Sequence, residues 1–192
     1  MNHLHPVESA AEVPGPARPF RTEQRLVALG MVGAVMVTVA VLLLLVAMQP
    51  FAMPDLEAPG AKLAYAARLD APLAAWLGAA IANVARLRFF SAMDIGGGAQ
   101  AKASPAILRA GAILQNTLEQ VVFAVGSHWA LATQLPAQWM VVLPGLVGLF
   151  CTGRALFWLG YRHGAAARAF GFGLTFYPTV GACGAAIALL FH

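Results

Sequence analysis

Residues 110–125 read AGAILQNTLEQVVFAV, an apolar helix at both ends with Gln115, Asn116, Glu119 and Gln120 in its middle. A hydrocarbon core penalises such groups, and a carboxylate most of all. The stretch therefore decides between a soluble helix with a polar stripe and a membrane helix carrying a site. Composition answers the first half of that question. Of the 192 residues, 60% are hydrophobic and only 10% charged, and the mean hydropathy is +0.73. Soluble domains carry roughly 25% charged residues. The chain reads as an all-α integral membrane protein. Its net charge of +4 then bears on topology and calls for no nucleic-acid partner.

Outward from that helix, the apolar runs define five spans. Residues 1–20, with Pro6, Pro14, Pro16 and Pro19, read as a disordered cytoplasmic tail. Residues 21–49 form an N-terminal anchor, because Leu26–Met48 is uniformly apolar except for Thr38 and is longer than the h-region of a cleaved signal. Residues 50–69 are a polar extracytoplasmic connection. Asp70-Ala71-Pro72 starts a second helix that ends near Phe90. Ser104-Pro105 starts the third, which runs to about Thr133, and Pro136 opens a fourth that ends near Arg162. The fifth runs from about Arg168 to Leu190, with Pro178 inside it.

Cytoplasmic loops are enriched in Lys and Arg. With the N-terminus inside, ten of the twelve basic residues fall on the cytoplasmic side and two, Lys62 and Arg68, outside. The orientation expected is N-terminus cytoplasmic. His3, His5, His128, His163 and His192 are scattered without ligand spacing, so no metal site is expected. Cys151 and Cys183 read as inert buried thiols. Gly181, Gly184 and Ala185 are small residues expected to let helices approach.

Asn116 and Glu119 stand three apart on one helix face. Glu119 lies about 22 Å past Ser104 at 1.5 Å per residue, near mid-membrane. Arg154 lies about two turns from its helix end, so Glu119 and Arg154 can meet at one depth. An intramembrane acid and base mark a functional site or a structural pair. Arg86, Arg88, Arg109 and Arg168 converge on the same end of the bundle and point to an anionic ligand.

These residues resemble a family. QNTLEQVVF is similar to the N-x-x-E helix of the membrane-associated proteins in eicosanoid and glutathione metabolism, the MAPEG family. GRALFWLGYRHGAAARAFGF resembles that family's next signature, with Arg154, Tyr161 and Arg168 spaced by seven. NVARLRFFS is similar to the basic end of its first helix. The likeness covers roughly residues 70–191 and makes residues 70–192 a four-helix MAPEG-like domain, with the anchor as an addition to a bacterial-type member.

The resemblance implies a homotrimer in the bacterial inner membrane. It implies glutathione as co-substrate, bound between subunits near the cytoplasmic face, and transferase or peroxidase chemistry on a lipophilic small molecule. It places Arg168 and Arg86 in catalysis and Asn116, Glu119, Arg154, Tyr161, Arg109 and Arg88 in glutathione binding. Arginines suit the two carboxylates of glutathione, Glu119 its ammonium, and a cation near the sulfur favours the thiolate. The chain departs from the pattern at Gln120, where a tyrosine often stands, at Phe157, which lacks a hydroxyl, and at Ala112, where an arginine is missing. A protein that keeps the fold without catalysis and binds lipid or a partner subunit is the alternative reading.

Overall fold

The computed structural model describes residues 19–50, 56–96 and 103–191; the tail assigned to residues 1–20 lies almost wholly outside them. Among the described residues there are six α-helices and no strand: α1 (Phe20–Met48), α2 (Pro59–Leu69), α3 (Ala71–Phe89), α4 (Pro105–Gln134), α5 (Val142–Gly160) and α6 (Ala165–Leu189). Short 3-10 turns at Ala137–Trp139 and Tyr161–His163 flank α5. The chain is an all-α integral membrane protein. Phe20–Met48, Ala137–His163 and Ala165–Leu189 are each long and apolar enough to cross a bilayer. α3 and α4, also read as spans, are not among these stretches. Both pack lengthwise against the others, α4 against α3 and α6.

Local chemistry places the helix starts where expected. The Ser104 side chain accepts the Ile107 N–H at 3.2 Å, and Pro105 fills the first helical position, where no N–H is needed. Asp94 braces the same corner. Its carboxylate accepts the Ser104 N–H at 2.9 Å and the Ser91 hydroxyl at 2.7 Å. The Ser104 N–H above all holds the Asp94 carboxyl below the usual range. That brace is present at neutral pH and lost only as pH falls below the ordinary carboxylate range, about 4.

Three elements differ from the sequence reading. The helix expected to open at Pro136 is preceded by a 3-10 turn at Ala137–Trp139 and begins as α5 at Val142. The connection contains a helix, α2, begun by Pro59 and Gly60 and buried at Ala66. Lys62 donates to the Leu135 carbonyl at 2.7 Å, which pins α2 over the end of α4. The last helix begins at Ala165, earlier than Arg168, because Gly164 turns the chain at φ +97° and Glu23 of α1 accepts the Ala166 N–H at 3.0 Å.

The bundle is sorted into two ends by these contacts. Glu23, the start of α6, the Asp94 corner and the start of α4 lie at one, with Arg86, Arg88, Arg109, Arg162 and Arg168. Gln49, Lys62, Leu135 and Gln138 lie at the other, where Gln49 donates to the Gln138 carbonyl at 3.4 Å.

Helices α5 and α6 form the tightest pair. A methyl group at Gly153 would stand 2.8 Å from the Gly171 carbonyl and 2.7 Å from the Thr175 methyl. One at Gly171 would run into the Phe157 backbone nitrogen. Helix α1 lies on α6 through Gly30, whose Cβ would meet Phe170 N at 3.1 Å, and through Ala34 against Gly173. Such small-residue seams replace the hydrophobic drive that lipid removes. Gly181 and Gly184, expected to serve packing, have no such neighbour among the described residues.

At the end away from Arg86, Arg88, Arg109 and Arg168, His128 Nδ1 and Asp70 Oδ1 lie 2.7 Å apart, both buried, and Asp70 Oδ2 has no partner among the described residues. The pair ties the α2–α3 corner to α4. Breaking a buried pair costs about 3–5 kcal/mol in soluble proteins, and less is typical in membranes. Asp70→Asn and His128→Ala should each lower the melting midpoint in detergent. The double variant should fall by less than the sum; additive losses would deny the coupling.

Candidate functional site

Arg154 is fully buried on α5. Its Nη1 donates to Asn116 Oδ1 of α4 at 2.8 Å, and its Nη2 to Thr175 Oγ1 of α6 at 2.6 Å. The guanidinium also lies 4.6 Å from the Phe157 ring centroid and 5.7 Å from that of Phe150. No carboxylate of the described residues stands within ion-pair distance of it. Arg154 Nε is buried with no hydrogen-bond partner among them. The Thr175 hydroxyl in turn donates to the Phe172 carbonyl at 2.8 Å, which leaves its oxygen free to accept from arginine. Three helices are thus joined through one cation.

Two turns toward the basic end, Arg168 lies with its guanidinium 4.5 Å from the Tyr161 ring centroid. Tyr161 meets Phe157 edge to face at 5.4 Å. Asn116, Phe157, Tyr161 and Arg168 line one cavity of about 320 Å³ together with Val27 and Met31 of α1. The structure therefore places Asn116, Tyr161 and Arg168 on the wall of one hollow, with Arg154 fully buried behind it and bonded to Asn116.

The other expected residues stand apart from it within the single chain. Glu119 does not pair with Arg154. It is exposed, accepts from Gln115 Nε2 at 2.9 Å, and lines a larger apolar groove of about 780 Å³ between α4 and α6 with Phe123 and Cys183. Arg86 donates to Asn83 Oδ1 at 3.2 Å and lines a small hollow near Asp94 at the α3–α4 corner. Arg88 and Arg109 are exposed at the same end. Gln120 points inward, buried, with its Oε1 unpartnered among the described residues. Thr175 was not singled out from the sequence. The signal for it is weak: a threonine three residues before a proline on a helix reads as one of many in-helix hydroxyls.

Among the described residues no group of three His, Cys, Asp or Glu side chains could hold a metal. The cavity wall carries the Asn116 amide, Tyr161 and one cation, Arg168, a set suited to an anion or a carboxylate-bearing molecule. Fold and site together define a polytopic membrane protein whose bundle has, at one end, a cavity lined by Asn116, Tyr161 and Arg168.

The chain belongs to the MAPEG family, whose model matches residues 63–188. Transmembrane protein 79 from Mus musculus and from Bos taurus are each 46% identical over 48 residues, 25% of this chain. The chain spans about 12% of the length of those curated relatives. No solved structure matches it significantly.

Thr175→Val keeps the shape of the side chain and removes the acceptor for Arg154 Nη2. A buried donor left unpaired costs about 1–3 kcal/mol. The variant should melt below the parent in detergent. Thr179→Val should lose less, because Thr179 bonds only the Thr175 carbonyl of its own helix. Equal melting of the two variants would show that Arg154 does not depend on Thr175.

Proposed function

We propose that the protein is a membrane-bound transferase or peroxidase that binds glutathione or a related thiol, stabilises its thiolate with Arg168, and uses it against lipophilic electrophiles. The observation that carries this reading is the pairing of buried Arg154 with Asn116 beside the cavity that Tyr161 and Arg168 line. A fully buried arginine with no carboxylate partner favours a carboxylate-bearing ligand nearby. Arg168 brings the cation, and the first turn of α6 a smaller effect of the same sign.

In this mechanism Arg168 holds the sulfur as thiolate. Family membership supports a glutathione-related or eicosanoid-related role in the membrane; the activity itself is our proposal. The assembly proposed is a homotrimer. A neighbouring subunit would then bring Arg86 or Glu119, which a single chain keeps away from the cavity, to the shared ligand. The orientation proposed puts the N-terminus and the basic end on the cytoplasmic side of a bacterial inner membrane.

A second reading, a protein that keeps the fold without catalysis and binds lipid or a partner subunit, has its own observation. The cavity wall carries Phe157 and Ala112 in place of a hydroxyl and an arginine, and Glu119 faces the apolar groove instead.

Glutathione titrated into the purified protein should show thiolate absorbance near neutral pH, where the free thiol, with a pKa near 8.5, shows little. A drop of about two units corresponds to roughly 2.7 kcal/mol. Arg168→Ala should move the thiol titration up by about one to two units while binding weakens less, since Asn116 and Tyr161 remain in the cavity wall. Turnover of the variant should fall most at low pH and recover partly as pH rises, because alkaline solution supplies the thiolate. Absence of any thiol binding would favour the second reading.

Reporter fusions test orientation. A fusion ahead of α1 should report cytoplasmic and one after His192 the far side; both on one side would refute five crossings.

A further inference from the structure

Helix α1 lies outside residues 63–188, the span that matches the family, yet it forms part of the cavity. Val27 and Met31, one turn apart on α1 and both half-buried, line it opposite residues of α4, α5 and α6. The same two side chains and Ala165 border a second, shallower hollow of about 390 Å³ that reaches Phe20 and Glu23. Three features hold α1 in that place. Glu23 accepts the Ala166 N–H at the first turn of α6, two residues before Arg168. Gly30 and Ala34 seat the helix on Ala169 and Gly173. Leu42 and Leu45 fall against Gly145 of α5.

The cavity thus has two unlike sides, with Asn116, Tyr161 and Arg168 among its polar groups and the thioether and branched chain of α1 among its apolar ones. At about 320 Å³ it sits at the small end of ligand cavities, about 300–1,000 Å³, where each added methyl group on the wall matters.

We propose that Val27 and Met31 are specificity-determining residues: they form the apolar wall of this cavity and select the alkyl or acyl group of an amphiphilic occupant whose anionic part faces Arg168. The inference rests on the cavity being the ligand site proposed above. Glu23 is a positioning residue, since it fixes α1 to the first turn of α6 and does not line this cavity.

The test uses the full chain in lipid nanodiscs with S-methylglutathione, S-hexylglutathione and, as a probe without the thiol tripeptide, laurate. The parent should bind the hexyl compound at least tenfold more tightly than the methyl compound, because the added methylenes leave water for the wall. Val27→Trp and Met31→Trp should cut that preference below threefold and leave S-methylglutathione affinity within threefold. Val27→Ala and Met31→Ala, which cannot crowd the α1–α6 seam, should shift the preference toward longer chains. Leu29→Trp, on the exposed side of α1, should change nothing. A hexyl preference that survives both tryptophans overturns the proposal.

If neither glutathione derivative binds, the thiol reading fails on its own. The wall is then judged by laurate above its partition into empty nanodiscs. Loss of at least tenfold in laurate affinity in Met31→Trp supports the wall; unchanged or absent laurate binding overturns it.

Discussion

The close approach of α5 and α6 at Gly153 and Gly171 sets the geometry on which the rest depends. With no side chain on either residue, the two backbones come near enough for Arg154 on α5 to reach Thr175 on α6 at 2.6 Å. A methyl group in that seam would push the helices apart and leave the guanidinium without this bond. The same spacing leaves Gly160 against Ala167 at the turn, so Tyr161 and Arg168 stack across the end of the same helix pair. Packing between small residues therefore precedes and permits the polar set. In a bilayer this order is expected, because close van der Waals contact is what drives helices together there.

Once buried, Arg154 constrains everything around it. An arginine cannot shed its proton in any ordinary site, so its charge must be met by oriented oxygens and aromatic faces. Asn116, Thr175, Phe150 and Phe157 supply these from three helices. None of them is an anion. The site is left with an excess of positive potential beside a hollow, which is a worse arrangement for stability than a neutral core of equal volume and a better one for holding an anion. Glu119, the acid nearest in sequence, does not neutralise it. It faces the groove between α4 and α6, so two opposite charges at similar depth stay on different surfaces of one helix layer.

Much of this was legible in the residues. The apolar runs, the Ser104-Pro105 start and the bunching of arginines at one end fixed the helices and the polarity of the bundle. The likeness to the MAPEG signatures singled out Asn116, Glu119, Arg154, Tyr161, Arg168 and Arg86; Asn116 meets Arg154 and Tyr161 meets Arg168, whereas Glu119 and Arg86 stand apart. What could not be read was the choice between near-equivalent partners. Asn116 and Glu119 differ by 60° around the helix at 100° per residue, and helical phase alone does not say which one faces α5. The Asp70–His128 pair spans 58 positions of sequence and joins a helix corner to a helix interior, which no local pattern announces. The helix at Pro59–Leu69 was hidden by its modest hydrophobicity; its contacts with α4 stabilise it more than its own propensity does.

Helix α1 illustrates how far an anchor can differ from a structural part. A helix needed only for attachment to the bilayer can be apolar all round and touch nothing. Here one half is so: Met36, Val39, Leu43 and Leu44 are exposed. The other features are those of a packed element. Leu42 and Leu45 fall against Gly145 of α5, Gly30 and Ala34 seat on α6, and a carboxylate at the basic end satisfies a donor that every helix start leaves open. Each of these contacts restrains rotation of α1 about its axis. Restrained rotation is what keeps Val27 and Met31 turned toward Arg168 and away from the hydrocarbon. A helix added outside the common four-helix core has thereby become part of the wall around the residues that the core supplies.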